Sequence, residues 1–168
     1  WVARAQGARQ GLRYDPDMGS DARLSCSSSG WAWLSTLSDD EGLALVAKQG
    51  LGLPDQFGPG APTTLRAVLD AVHTTRERGY SMTTDTYSLG LSAMSAPVRL
   101  ANQSAMGVVT IAGPTVRFTA ERMQSLAPEL QSVASQLAAA SGASPFFNLT
   151  ADTGESGSAT GRKPIYAV

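Results

Sequence analysis

One cysteine and one histidine in 168 residues remove several chemistries at the outset. Cys26 has no partner for an internal disulfide and cannot build a cysteine-based metal cluster. Such sparse cysteine suits a reducing cytoplasm. His73 has no His or Cys four residues on or nearby, so the spacing of a zinc site is missing. Charge is thin and balanced, with 13 Lys and Arg against 14 Asp and Glu for a net charge of −1. The basic residues stand singly, without the clustered face needed to grip nucleic acid. No apolar run approaches the ~20 residues that cross a bilayer, so no membrane partner is expected. There is no G-x-S-x-G elbow. Cys26 among serines suggests a thiol or serine hydrolase only on paper, because no base and orienting group accompany it. No catalytic residue, metal or cofactor is therefore assigned. Asn148-Leu149-Thr150 matches a glycosylation sequon, which a cytoplasmic protein would never have modified. The chain begins at Trp1 rather than Met and shows no charged-then-apolar leader. We read it as a fragment of a longer protein with no visible targeting signal.

What is present is a hydrophobic content of 42%, enough for one domain to bury a core. The stretch from Gly90 to Pro114 organises it. Leu91 to Val98 and Ala105 to Ala112 read as two strands joined by the turn chemistry of Ala101-Asn102-Gln103-Ser104, a hairpin candidate. Many of its side chains are small: Ser92, Ala93, Ser95, Ala96, Gly107, Thr110 and Ala112. A sheet face lined by such residues either receives a helix at close range, the usual outcome in densely packed interiors, or leaves a cavity.

Around the hairpin the chain is punctuated by caps. Val2 to Ala5 and Gly11 to Tyr14 look strand-like, with a turn at Asp15 to Gly19. The serine run Ser25 to Ser29 predicts a short helix beginning near Ser28. Ser38-Asp39-Asp40-Glu41 has the spacing of a capping box. It opens a helix with Leu43, Val46 and Ala47 on one side and a left-handed stop at Gly50. After a Gly/Pro-rich loop over 51–62, Thr63 or Thr64 caps a helix whose Leu65, Val68, Leu69 and Val72 form a buried stripe, ending at Gly79. Tyr80 to Thr83 reads as an edge strand. Thr119 caps a long helix with Met123, Leu126, Leu130, Val133 and Leu137 on one face, which Pro128 should kink or divide and Gly142 should close. The remainder is Gly, Ser, Thr and Ala, a linker composition.

In this order the chain resembles the effector-binding domain of IclR-type transcriptional regulators. The likeness rests on Gly30-Trp31-Ala32-Trp33-Leu34 followed by Leu37 to Glu41, on Arg78-Gly79-Tyr80, on Gly90 to Val98, and on Val108 to Pro114 with Arg117-Phe118-Thr119. The resemblance implies an α/β (α+β), GAF-like fold, a curved and mainly antiparallel sheet flanked by helices, over residues 1–142, with a C-terminal tail over 143–168. It implies a winged helix-turn-helix that contacts DNA, absent from this chain, and assembly as a homodimer or homotetramer in the cytoplasm. It also implies a small organic effector held by Ser28 and Ser29 at the turn, by Thr83 in the loop, and by Ala93, Met94, Thr110 and Ala112 on the strands.

Exposed amides at a helix N-terminus beside serine hydroxyls favour an anion, so a carboxylic acid is the natural guest. Ala93, Met94 and Ala112 offer no polar side-chain atoms, and Thr83 stands where relatives can carry an acid. A less polar or larger acid is therefore expected, aromatic or branched. Trp31 and Trp33 either extend that apolar wall or pack in the core and at a subunit contact. Three classes remain open: a ligand sensor, a purely structural dimerisation module that fills the small-residue face with its own side chains, and a hydrolase dependent on Cys26.

Overall fold

The computed structural model describes residues 3–5, 7, 22–52, 54–101 and 103–141. The expected strand at Gly11 to Tyr14, the turn at Asp15 to Gly19, the stop at Gly142 and the tail lie outside the described residues. Of the expected strand Val2 to Ala5, the described Ala3, Arg4 and Ala5 are not in a strand. The elements are α1 (Ser28–Leu34), α2 (Asp39–Gln49), α3 (Leu65–Arg78), β1 (Ser81–Thr84), β2 (Leu91–Val98), β3 (Gly107–Pro114) and α4 (Ala120–Ala140). A single 3-10 turn, Pro54–Gln56, interrupts the loop before α3.

The strands form one antiparallel sheet in the order β1-β2-β3. This is the α/β architecture expected, with helices on both faces. Register places Ser81, Ser95 and Thr110 in one row and Thr83, Ala93 and Ala112 in the next. Alternation along β2 then divides its side chains between two layers. Met94, Ala96 and Val98 join Phe118 and the buried stripe of α4 in one core. Ser95, on the opposite face, meets α1. Beyond α1 a second core of Leu24, Leu34, Val46, Val68 and Val72 binds α1, α2 and α3 together. Each of these aliphatic side chains contributes about 1.5–3 kcal/mol by burial.

The caps form as their residues dictate. Ser27 caps α1 through Gly30 N–H. Ser38 and Glu41 complete the capping box of α2, Thr64 caps α3 through Ala67 N–H, and Thr119 caps α4 through Arg122 N–H. Gly79 closes α3 in the left-handed region at φ 81°, ψ 2°, which an L side chain rarely adopts. Gly50 also has positive φ but an extended ψ of 157°, so it ends α2 without the left-handed cap expected.

Buried faces differ from the expected ones in three helices. Ala47 is exposed in α2, where Gly42 and Val46 are buried. In α3, Leu65 is exposed and the stripe is Val68, Val72 and Thr75. In α4 the buried residues are Met123, Ala127, Leu130, Ala134 and Ala138, while Val133 and Leu137 lie outside. Small residues face the small-residue sheet so that the helix axis can come close. Pro128 does not divide α4. It sits on the exposed side, where the carbonyl it leaves unpaired can turn to water.

Candidate functional site

Helix α1 lies across all three strands, and what joins it to them is a series of hydroxyls. Ser28 Oγ and Ser95 Oγ are 2.8 Å apart, and Ser95 Oγ is 2.8 Å from Thr110 Oγ1. Ser81 Oγ–H donates to the Ser28 carbonyl at 2.7 Å. Thr83 Oγ1–H donates to the Ala93 carbonyl at 3.3 Å. The row runs from Ser81 and Ser95, both 0% exposed beneath α1, to half-buried Thr110 on β3, with exposed Ala112 in the next row beside it. A polar chain thus leads from the interior to the open side of the sheet.

The close seating of α1 has a specific cause. At Gly30 a Cβ would stand 2.7 Å from both Cα and the carbonyl oxygen of Leu24, and 2.8 Å from the Arg23 carbonyl oxygen. Only glycine lets the helix meet that backbone. The segment before α1 is held in turn by Trp31, whose indole N–H donates to the Ser25 carbonyl at 2.9 Å. Thr86 Oγ1–H donates to the Cys26 carbonyl at 2.7 Å.

Of the residues expected at the site, Ser28, Thr83, Ala93, Thr110 and Ala112 lie on or against this face, while Ser29 is buried with its hydroxyl 3.2 Å from that of Ser27. Met94 does not. It is one position out of phase with Ala93 and is fully buried under α4. The amides expected to be exposed at the start of α1 are also not presented: Ser28, Ser29 and Gly30 are buried, and Ser27 rather than Ser28 or Ser29 caps the helix. Between α1 and the centre of the sheet the close-packed alternative holds, since Ser28, Ser81 and Ser95 bond to one another across the contact.

Ser81 and Ser95 were missing from the expected set. Their signal was available in the period of two, because Ser95 shares a face with Ala93, and Ser81 shares one with Thr83. Trp31 is buried with its N–H satisfied, and half-buried Trp33 packs against the second core, so neither indole lies open as a ligand wall.

Other candidate groups are tied up elsewhere. Cys26 is fully buried, and that burial pushes its thiol up to about 11, which leaves little thiolate for chemistry near neutral pH. His73 is half-exposed on α3, 2.7 Å from Asp39 Oδ2, and Arg76 donates to Asp39 Oδ1 at 3.0 Å. Those contacts brace α3 against the start of α2. Among the described residues no group of three or more His, Cys, Asp or Glu could hold a metal ion. Among them, too, no helix is long and apolar enough to cross a membrane.

Comparison with known proteins agrees with this architecture. The HTH-type transcriptional repressor AllR of Salmonella typhimurium is 27% identical over 134 residues, covering 80% of this chain and 48% of the repressor. The chain spans about half the length of the curated relatives it matches. A transcriptional regulator from Rhodococcus sp. RHA1 superposes with a TM-score of 0.62 at 26% identity, covering 69% of this chain and 46% of that one. The inducer-binding domain of the PobR transcription factor from Acinetobacter, a double mutant in complex with 3-hydroxybenzoic acid, superposes with a TM-score of 0.61. It is 22% identical and covers 68% of this chain and 66% of that one. The family model described as the bacterial transcriptional regulator IclR C-terminal domain matches residues 2–139. With the antiparallel sheet and its flanking helices, that match places the chain in the IclR family of bacterial transcriptional regulators, of which it carries the C-terminal domain.

Proposed function

We propose that residues 1–142 sense a small organic acid for a cytoplasmic transcriptional regulator, and that 143–168 form a tail outside the sensing unit. The hydroxyl row Ser28–Ser95–Thr110 carries the reading. Each hydroxyl can donate or accept, so the row can exchange internal bonds for bonds to a carboxylate arriving over β3. Thr83, Ala93 and Ala112 border the row, and Ser29 stands beside Ser28. The complex of the PobR inducer-binding domain with 3-hydroxybenzoic acid supports a ligand of this kind. DNA contact belongs to a winged helix-turn-helix outside this chain. The effector acts by favouring one homodimeric or homotetrameric arrangement over another, since equal affinity for both would shift nothing.

Thermal unfolding against a panel of aliphatic to aromatic carboxylic acids tests this. Saturation at a hundred times the dissociation constant adds about 2.7 kcal/mol, which raises the midpoint by roughly 5–11 °C. A shift confined to one chemical class, and lost in Thr110→Val, supports the sensor. One observation favours a second reading, a structural dimerisation module: α1 already fills the small-residue face, leaving Ser81 and Ser95 at 0% exposure. A folded, oligomeric protein that responds to no acid selects that reading.

A further inference from the structure

The hydroxyl row carries no charge, but a concavity elsewhere does. At the Val98 end of β2, the close of α1, the close of α3 and the middle of α4 surround a notch of about 190 Å³. Its rim holds Arg76, Arg99 and Gln131, and among the described residues no acidic one lines it. Half-buried Pro97 supplies its apolar surface, over a floor formed by buried Ala96 and Ala134.

The two guanidinium groups differ in their commitments. Arg76 is fixed by the carbonyls of Ser35 and Leu37, each at 3.0 Å, and by Asp39. Arg99 is exposed and makes no hydrogen bond or ion pair among the described residues. A rigid cation near one that no described residue pairs, at a concave site, raises the local concentration of anions. The planar fork of arginine matches a carboxylate in two-point contact. The apolar surface beside it favours an anion with a compact apolar body over a bare inorganic ion. At this size the notch falls below the roughly 300–1,000 Å³ of pockets for drug-sized ligands, which restricts the guest to a small acid.

We propose that this notch is a second binding site, separate from the hydroxyl row, for a small organic carboxylate whose head pairs with Arg99 near Arg76 and whose body lies against Pro97. Because its walls come from α1, α3, β2 and α4, an occupant ties together the helices on the two faces of the sheet.

Benzoate, titrated into the whole 168-residue chain at low ionic strength and followed by amide NMR and calorimetry, tests the proposal, with neutral benzamide as the control. The expected result is saturable benzoate binding that shifts the amide signals of Gly79, Arg99 and Gln131. Arg99→Gln weakens that binding about ten-fold or more, the value of one charge-assisted hydrogen bond, while exposed Arg122→Gln leaves it unchanged. Equal binding of benzamide, unchanged affinity in Arg99→Gln, or no saturable binding would each overturn it. So would benzoate shifts confined to Ser28, Ser95 and Thr110, an outcome that leaves the sensor reading standing. Loss of the sensor reading shows separately, as notch shifts with a silent hydroxyl row.

Discussion

Ser28 on α1 and Ser95 on the central strand, 67 positions apart in the chain, place their hydroxyl oxygens 2.8 Å apart in a buried contact. The helix is fastened to the sheet at its polar centre, with apolar cores above and below it. Such a seam specifies position more sharply than apolar packing alone, because a buried hydroxyl that loses its partner keeps its desolvation cost.

Ser95→Ala should therefore destabilise the fold by roughly 1–3 kcal/mol, since it strips a partner from Ser28 and from Thr110 together. The double variant Ser28→Ala/Ser95→Ala should cost less than the sum of the single ones, with a coupling of about 0.5 kcal/mol or more in urea unfolding. Additivity of the two would mean that the hydroxyl contact contributes nothing.

Gly30→Ala separates local preference from packing. Helix propensity alone predicts a gain of about 1 kcal/mol from alanine. The Cβ would meet the backbone of Leu24 at 2.7 Å, and backbone cannot rotate away as a side chain can. The variant should lose about 1–3 kcal/mol, with altered near-ultraviolet dichroism from Trp31 as α1 lifts. A more stable protein with unchanged spectra would contradict the close approach.

Asp39 gives a pH dependence with a definite sign. Its hydrogen bond with His73, and then that from Arg76, hold the carboxyl below its ordinary range. A depressed carboxyl contributes stability that is present above its unfolded value, about 3.9, and is lost as pH falls through the folded value. The wild-type advantage over Asp39→Asn should thus be full near neutral pH and shrink below about pH 4. Added salt should reduce it, because both partners are partly exposed. An advantage unchanged down to acid pH would remove the pair from the account of α2 and α3.

Caps and hairpin were readable in the sequence because they depend on neighbours. Ser38 and Glu41 satisfy each other within one turn, and β2 and β3 start and stop within two residues of their expected ends. Faces were less readable, because they depend on what lies opposite. Met94 stands beside Ala93 in the expected site, though a strand sends adjacent side chains to opposite layers and Met94 lies in the core under α4. The pairing of His73 with Asp39 joins residues 34 positions apart and leaves no local trace.

The α4 stripe shows the same dependence and gives the last prediction. Hydrophobicity selects Leu126, Val133 and Leu137 as inward, yet the helix buries Ala127, Ala134 and Ala138 with Met123 and Leu130. The sheet explains the choice. Ala96 sits in the core facing α4, so alanines on the helix let the backbones approach, and larger groups there would hold them apart. Ala127→Leu should consequently destabilise by about 1–3 kcal/mol through overpacking, although it adds apolar surface and keeps helix propensity. Leu137→Ala, at a position 45% exposed, should change stability by no more than about 0.5 kcal/mol. Urea unfolding of the two variants decides which face the helix buries. The reverse order of costs would turn α4 so that its larger residues point to the sheet.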